Sequence, residues 1–330
     1  MALRRTTMHP NSISRRGFLE TIGRTTAAGA AVAAIDKAGL SAAEAPRPLP
    51  PLAVFSKLYQ ELKLDFEQSA QVTAEAGYTG IDCAVRPKGE IEPERAADEM
   101  PRYAEALGRH GTKMLLLATG ISRIDSAHAR DILTTAKKLG IRYYRLDFYP
   151  RKGDVAVEKQ VAEVKAALKE LAALNRELGV CAVFENHSMI GTKVGGRPNG
   201  GGYVGGDLTE LHSLVEGFDP DQLAVAFDIG HAIIQHGEEW QTHFAALRDH
   251  IRVVYVKDPG RSARFVPFGE GEIGNTDFFR SLVAMNYTAP LCIHIEYPWA
   301  PEGQKTRAGM IDTLKKNRVV VEKWWQTAAT

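Results

Sequence analysis

The chain has 330 residues, and its 41 Lys and Arg against 40 Asp and Glu leave a formal net charge of +1, so it offers no long-range field to gather nucleic acid or an anionic membrane. With 44% apolar and 25% charged residues, 30 Gly and 16 Pro, the composition is that of a folding globular chain and excludes a fibrous or disordered one. Cys83, Cys181 and Cys292 stand far apart, which excludes a disulfide scaffold and a CxxC zinc ribbon; each lies in an apolar run and reads as a small buried hydrophobe.

Residues 1–45 differ from the rest. Ser14 to Glu20 reads SRRGFLE, a small-residue stretch follows from Thr25 to Ile35, and Ser41-Ala42-Ala43 precedes the Pro-rich Pro46 to Pro51. The twin arginine, an apolar stretch too short to span a bilayer and an A-x-A-like cleavage site resemble a bacterial twin-arginine export signal. That resemblance implies carriage by the twin-arginine translocase, cleavage after Ala43, and a periplasmic or exported protein with no membrane anchor once the signal is gone. Residues 46–330 then form one domain.

From Leu52 onward short apolar runs alternate with longer amphipathic ones, and no Asn-Gly turn joins two apolar runs. The pattern predicts eight strands: Leu52 to Ser56, Gly80 to Ala84, Lys113 to Ala118, Arg142 to Phe148, Val180 to Glu185, Leu223 to Asp228, Arg252 to Lys257 and Leu291 to Glu296. Helices are predicted over Phe66 to Ala76, Pro93 to Arg109, Ser126 to Leu139, Val157 to Leu178 and Phe278 to Met285, with a last one near Lys305 to Trp325. In Val157 to Leu178, the residues Val161, Val164, Leu168, Leu171 and Leu174 share one face. Gly77, Gly111, Gly140 and Gly179 stand where four of these helices should stop. Strand and helix repeating eight times in this length fit an α/β fold of the single (β/α)8 barrel kind better than an open doubly wound sheet.

A barrel of this kind carries its active site at the C-terminal ends of the strands. The polar residues there are Lys57 after the first strand, Asp82 and Arg86 at the second, Arg145 and Asp147 at the fourth, Glu185 at the fifth, Asp228 at the sixth, Lys257 at the seventh and Glu296 at the eighth. Alternation along a strand puts Glu185 on one face with Val183 and His187, Lys257 with Tyr255, and Glu296 with His294. So many charges at one mouth are costly unless they pair or bind a cation.

Glu185 in VFENH, Asp228 and His231 in AFDIGHA, and Glu296 in IHIEY carry the strongest chemical signal. On these motifs the chain, from Leu52 to about Trp325, resembles the sugar phosphate isomerase/epimerase family, the xylose isomerase-like TIM barrels. The resemblance implies that Glu185, Asp228 and Glu296 bind one divalent ion together with a seventh-strand His, while Glu185 and Glu296 act as acid and base on opposite faces of a ketose. The chain departs from the family at that seventh strand. Tyr255-Val256-Lys257-Asp258 lacks the imidazole, His294 offers one from the eighth strand, and Arg261 falls where some epimerases of the family place a metal-site arginine. Three carboxylates with one His favour a hard ion, Mn²⁺ or Mg²⁺; the alternative is that Lys257 supplies the positive charge.

Removing a proton from the carbon next to a carbonyl leaves an enediolate, which needs a cation or donors at its oxygens and a carboxylate within reach of the proton. The expected function is therefore a divalent-metal-dependent isomerase or epimerase acting on an unphosphorylated sugar or keto-sugar. Export points away from phosphosugars, and Gly191 to Gly206 contains no GxxxxGK[ST] phosphate loop. A 3-keto-glycoside lyase or hydratase using the same site, and a sugar-binding protein that has lost catalysis, are the alternatives. The expected partner is a small carbohydrate and not a nucleic acid. Its expected contacts are His187, His231, Lys257, Arg261, Arg86 and Trp299, with the Gly-rich segment reading either as a mobile loop over the mouth or as a plain surface insertion, ahead of a helix opened by Asp207-Leu208-Thr209-Glu210.

Overall fold

The computed structural model describes residues 47–188 and 202–330. Arg15, Arg16, the Ser41-Ala42-Ala43 site and most of the Gly-rich segment lie outside the described residues. Eight parallel strands close into a barrel in chain order: β1 Leu52–Phe55, β2 Gly80–Val85, β3 Lys113–Thr119, β4 Tyr143–Arg145, β5 Cys181–Glu185, β6 Leu223–Asp228, β7 Ile251–Val256 and β8 Leu291–Ile293. Closure comes from β8 lying on β1, with Leu52 opposite Leu291 and Val54 opposite Ile293. The expected single (β/α)8 barrel is thus the observed fold.

Continuous apolar runs suit these strands because both faces are covered. Small side chains fill the inside of the barrel, among them Ala53, Ala84, Ala118, Val183, Ala224 and Ala226, with Cys181 and Cys292 beside them. The opposite face of each strand packs against the helices in a second, larger core that takes in Cys83, so all three cysteines are buried. The helix Val157–Leu178 buries Val164, Leu168, Leu171 and Leu174 and ends at Gly179, whose φ of 72° is a left-handed turn that suits a residue without Cβ. Gly77, Gly111 and Gly140 also have positive φ, as their place after helices required. No helix among the described residues is long and apolar enough to cross a membrane.

Two strand ends differ from expectation by more than one residue. The fourth strand, expected to run to Phe148, stops at Arg145, because the chain turns there to form a short antiparallel ribbon, Tyr149–Pro150 against Tyr203–Val204. The eighth, expected to run to Glu296, stops at Ile293; the His294 amide still donates to the Val256 carbonyl at 3.1 Å, and Pro298 close behind cannot donate to a ladder. Glu296 therefore projects from a loop above the mouth instead of from the strand. The helix expected after Asp207 is present as Leu208–Val215, with the Asp207 carboxylate accepting from the Thr209 and Glu210 amides.

Candidate active site

The site is assembled where β5, β6 and β7 end. Asp228 is the last residue of β6 and the N-cap of the helix Ile229–His236; its Oδ1 accepts the His231 amide at 2.9 Å, which leaves Oδ2 turned toward the mouth. Asn186, just past β5, clamps the backbone of Asp228 from both sides, accepting its N–H at 2.8 Å and donating to its carbonyl at 2.9 Å. Gly230 explains the spacing in the Asp-Ile-Gly-His motif: a Cβ there would stand 2.3 Å from the Lys257 carbonyl oxygen and 2.9 Å from its Cβ. Only glycine lets the helix after β6 lie against the end of β7, and this contact fixes Lys257.

The Lys257 ammonium stands among all three carboxylates. Its Nζ lies 2.9 Å from Asp228 Oδ2, 3.2 Å from Glu185 Oε1 and 3.8 Å from Glu296 Oε1, with the side chain 1% exposed. It is also 2.9 Å from His231 Nε2. An ammonium can only donate, so Nε2 accepts and the ring hydrogen of His231 sits on Nδ1, 2.8 Å from Ser188 Oγ. A second cation, Arg145, brings Nη1 to 3.4 Å from Glu185 Oε2 and donates to the Leu146 carbonyl.

The electrostatics follow from how many cations each acid meets. Burial pushes the Glu185 carboxyl up, but Lys257 and Arg145 outweigh it and bring its pKa down to about 2. Asp228 is carried up to about 7, because burial exceeds the pull of the single cation Lys257 and the Glu185 charge adds to it. Burial disfavours the charge on Lys257, yet Asp228, Glu296 and Glu185 together hold its pKa above the ordinary lysine value. Glu296 stays well below the carboxylate range, with Lys257 and His294 overcoming its burial. Burial and Lys257 depress both His231 and His294, the latter to about 4, so both rings are neutral near pH 7.

Glu296 differs from the other two acids in access. Its side chain is 29% exposed, and its nearest partners, Lys257 Nζ at 3.8 Å and His294 Nδ1 at 3.7 Å, lie beyond hydrogen-bond range. An ionised carboxylate with no committed hydrogen bond at the open side of the cluster is equipped to take a proton.

The sequence candidates separate as follows. Glu185, Asp228, Glu296, Lys257 and His231 meet in one cluster, and His187 packs on it with its ring centroid 4.0 Å from that of His231. Arg86 lies over Phe55, its guanidinium 5.7 Å from the ring, and among the described residues makes no ion pair with a carboxylate. His294 stacks on the same Phe55 ring, centroids 4.6 Å apart, and lies beside Tyr255. Arg261 does not join the cluster: its side chain is 90% exposed and pairs with Glu272 at 3.3 Å, because Asp258 accepts the Gly269, Gly271 and Ile273 amides and folds this loop outward. Trp299 is also engaged elsewhere, donating to Glu61 at 2.8 Å with Lys305 over its ring. Sequence reasoning missed the wall of rings beside the two histidines. Phe148 and Tyr203 flank His187, with Phe148 also stacked on Tyr203, and Phe265 lies edge-on to His231. An aromatic residue inside the otherwise Gly-rich segment was the available signal for Tyr203.

Beneath the cluster, Asp82 is fully buried with Oδ1 unpartnered among the described residues, and burial carries its pKa up to about 7. The folded chain therefore holds a proton that an unfolded Asp, near pKa 3.9, gives up. Stability is lost as pH rises from about 4 through about 7. Asp82→Asn is expected to flatten that fall, with a Tm at pH 8 higher than the parent's by about 2–4 °C, on the order of 1 kcal/mol; thermal melts from pH 5 to 8.5 check it.

Among the described residues, two groups of side chains place donor atoms within 4.8 Å of one another, as one metal ion requires: Asp82, Cys292 and His294, and Glu185, His187 and His231. Of the set expected from sequence, Glu185, Asp228 and Glu296 surround the Lys257 ammonium instead, while His294 lies beside Glu296, its Nδ1 3.7 Å from that carboxylate. An oxygen-ligated Mg²⁺ sits ~2.1 Å from its ligands and a Ca²⁺-sized ion only slightly farther, so an ion on these three carboxylates would need the space that Nζ fills. With Lys257 in place, the carboxylate set does not fit a divalent ion.

Among solved structures, the fold is similar to that of a D-psicose 3-epimerase in the presence of D-fructose, at 13% identity over 84% of this chain and 100% of that one, with a TM-score of 0.60. It is similar also to an L-ribulose 3-epimerase, at 16% identity over 85% of this chain and 96% of that one, TM-score 0.61. A 3-keto-D-glucoside 4-epimerase from E. coli gives 13% identity, 82% and 100% coverage and a TM-score of 0.60. No curated protein matches the sequence. At these identities the likeness to solved structures is one of fold. The family model described as xylose isomerase-like TIM barrel matches residues 70–316, a span that holds β2 to β8 and all three carboxylates around Lys257, and the chain belongs to that family.

Proposed function

We propose that the chain is a sugar isomerase or epimerase that removes a proton from the carbon next to a carbonyl of an unphosphorylated sugar or keto-sugar. The observation that carries this reading is a pair of ionised carboxylates, Glu185 and Glu296, reaching one buried positive charge from different sides of a barrel mouth. Proton removal by one and return by the other inverts the carbon. Return to the neighbouring carbon interconverts aldose and ketose. The negative charge that builds on the substrate oxygens meets the field of Lys257 and Arg145, in a site whose low dielectric strengthens it. The rings of Phe148, Tyr203 and Phe265 give an apolar wall suited to the C–H face of a sugar, and Arg86 is a cation free for a hydroxyl or carbonyl oxygen. Three similar folds carry the names of sugar epimerases, which supports the class.

Arg15 and Arg16 support export through the twin-arginine route and, with it, a substrate without phosphate. The similarity to a 3-keto-D-glucoside epimerase favours one second reading, a 3-keto-glycoside lyase or hydratase, which begins with the same proton abstraction and then expels the glycosidic oxygen. The test is to incubate the protein with free ketoses, aldoses, 3-keto-glycosides and phosphosugars in D₂O. Deuterium is expected at the carbon next to the carbonyl, in an epimer or isomer of unchanged bond count. Release of an aglycone identifies the lyase, and exchange confined to phosphosugars sinks the substrate claim.

A further inference from the structure

We propose that the Lys257 ammonium is the resident cation of this site, standing in the place of a divalent ion, so that turnover needs no added metal. The inference rests on the reading of the mouth as a sugar isomerase/epimerase site but is tested apart from it.

Four observations converge. The ammonium is at the centre of the carboxylates and not at their edge: it donates to Glu185 Oε1 at 3.2 Å and to His231 Nε2 at 2.9 Å, and it ion-pairs with Asp228 Oδ2 at 2.9 Å. The position is built, since Gly230 admits the Lys257 backbone to a distance that any side chain would forbid. Where the family resemblance implies an imidazole ligand stands Tyr255, a fully buried phenol whose hydroxyl has no hydrogen-bond partner among the described residues. Finally, the charges come close to balance without an ion, three carboxylates being met by Lys257 and Arg145.

The remaining donor groups do not restore a metal centre beside this lysine. Glu185 and His231, two of the three members of one group, each use a donor atom to accept from Lys257. The other group lies a layer deeper, with Cys292 level with Tyr255, and its thiol donates to Asp82 Oδ2 at 3.6 Å. An ion on the upper carboxylates would have to expel the ammonium, and two cations a few ångströms apart in a buried site repel strongly.

The role explains why one side chain serves three acids. Left alone, Glu185, Asp228 and Glu296 would repel one another, and a member would take up a proton. One ammonium stands between them and offsets part of their charge while leaving Glu296, at 3.8 Å, without a hydrogen bond to break before it accepts the substrate proton. Lys257 also stands as the fixed positive charge toward which the enediolate oxygens develop theirs.

The experiment is a Mn²⁺ titration of the full chain and of Lys257→Ala, followed by electron paramagnetic resonance and by Tm, with activity assayed before and after EDTA. The parent is expected to bind no Mn²⁺ below millimolar concentration and to keep its turnover in EDTA. Lys257→Ala empties the centre, leaving three carboxylates and His231 Nε2 around it. It is expected to bind one Mn²⁺ per chain at least 100-fold more tightly than the parent, with a Tm that rises with Mn²⁺.

One tightly bound Mn²⁺ in the parent overturns the proposal, and so does a folded Lys257→Ala that binds none. Should Lys257→Ala fail to fold, the parent titration decides alone. If the parent turns over no sugar, the functional reading falls while the Mn²⁺ contrast still decides the identity of the cation.

Discussion

Glu296→Gln is expected to lose about 10²–10⁴-fold in kcat, the usual contribution of a positioned general acid or base, with only a modest loss of Tm. The two halves of that expectation come from the same geometry. Glu296 has a side chain 29% exposed, with Lys257 and His294 both beyond hydrogen-bond distance, so replacing its charge by an amide breaks no buried bond and strands no partner. Lys257 keeps Asp228, Glu185 and His231. Catalysis loses one face of the proton transfer. With Glu185 still in place, one epimer should go on exchanging its proton with D₂O while the other does not, and inversion should stop. Nuclear magnetic resonance of each epimer separately makes the distinction. Equal residual exchange from both epimers, or a kcat within threefold of the parent, would remove Glu296 from the reaction.

Much of this was legible in the sequence, for reasons that are physical and local. A parallel strand buried on both faces must be apolar throughout, so runs such as LAVAFD and VVYV declare themselves, and the glycines after helices mark left-handed turns that other residues resist. Alternation also told which face Glu185, Lys257 and Glu296 share. What alternation does not give is reach. A lysine carries its charge four methylenes from the backbone, and the sequence does not say that Nζ of Lys257 ends at the centre of the acids. The same limit applies to Arg261 and Trp299. Both follow strands that end at the mouth, but Asp258 gathers three amides of its own loop and Glu61 lies within reach of the Trp299 indole, contacts set by tertiary placement. The extent of β4 was misjudged because Tyr149 and Pro150 continue an extended conformation into a different sheet, and an extended run does not declare its partner.

Glu185→Gln is expected to lose activity on the scale of Glu296→Gln but, unlike it, to lose stability as well. Glu185 is 3% exposed at the side chain and lies between two buried cations, Lys257 Nζ at 3.2 Å and Arg145 Nη1 at 3.4 Å. Lys257 retains Asp228, whose carboxyl also ionises more readily once the neighbouring negative charge is gone. Among the described residues, Arg145 retains the Leu146 carbonyl and the face of the Phe148 ring, 4.7 Å away, but no ion pair within 4 Å, and Asp82 and Asp147 offset its buried charge only from farther off. Breaking one side of such a pair costs about 3–5 kcal/mol, or roughly 10 °C in Tm for a chain of this size. The sign with pH follows from the direction of the Glu185 shift. Its pKa is lowered to about 2, so the stability it contributes is full above the unfolded value near 4.3 and is lost as pH falls toward 2. Parent and Glu185→Gln should therefore differ most near pH 7 and converge in acid. Replacing Arg145 at the same time removes the stranded charge, and Glu185→Gln/Arg145→Gln should be less destabilised than the sum of the single variants by about 1–3 kcal/mol. Strict additivity in denaturant titrations at pH 7 would mean that Arg145 does not depend on Glu185, and that the acid is held at this mouth by Lys257 alone.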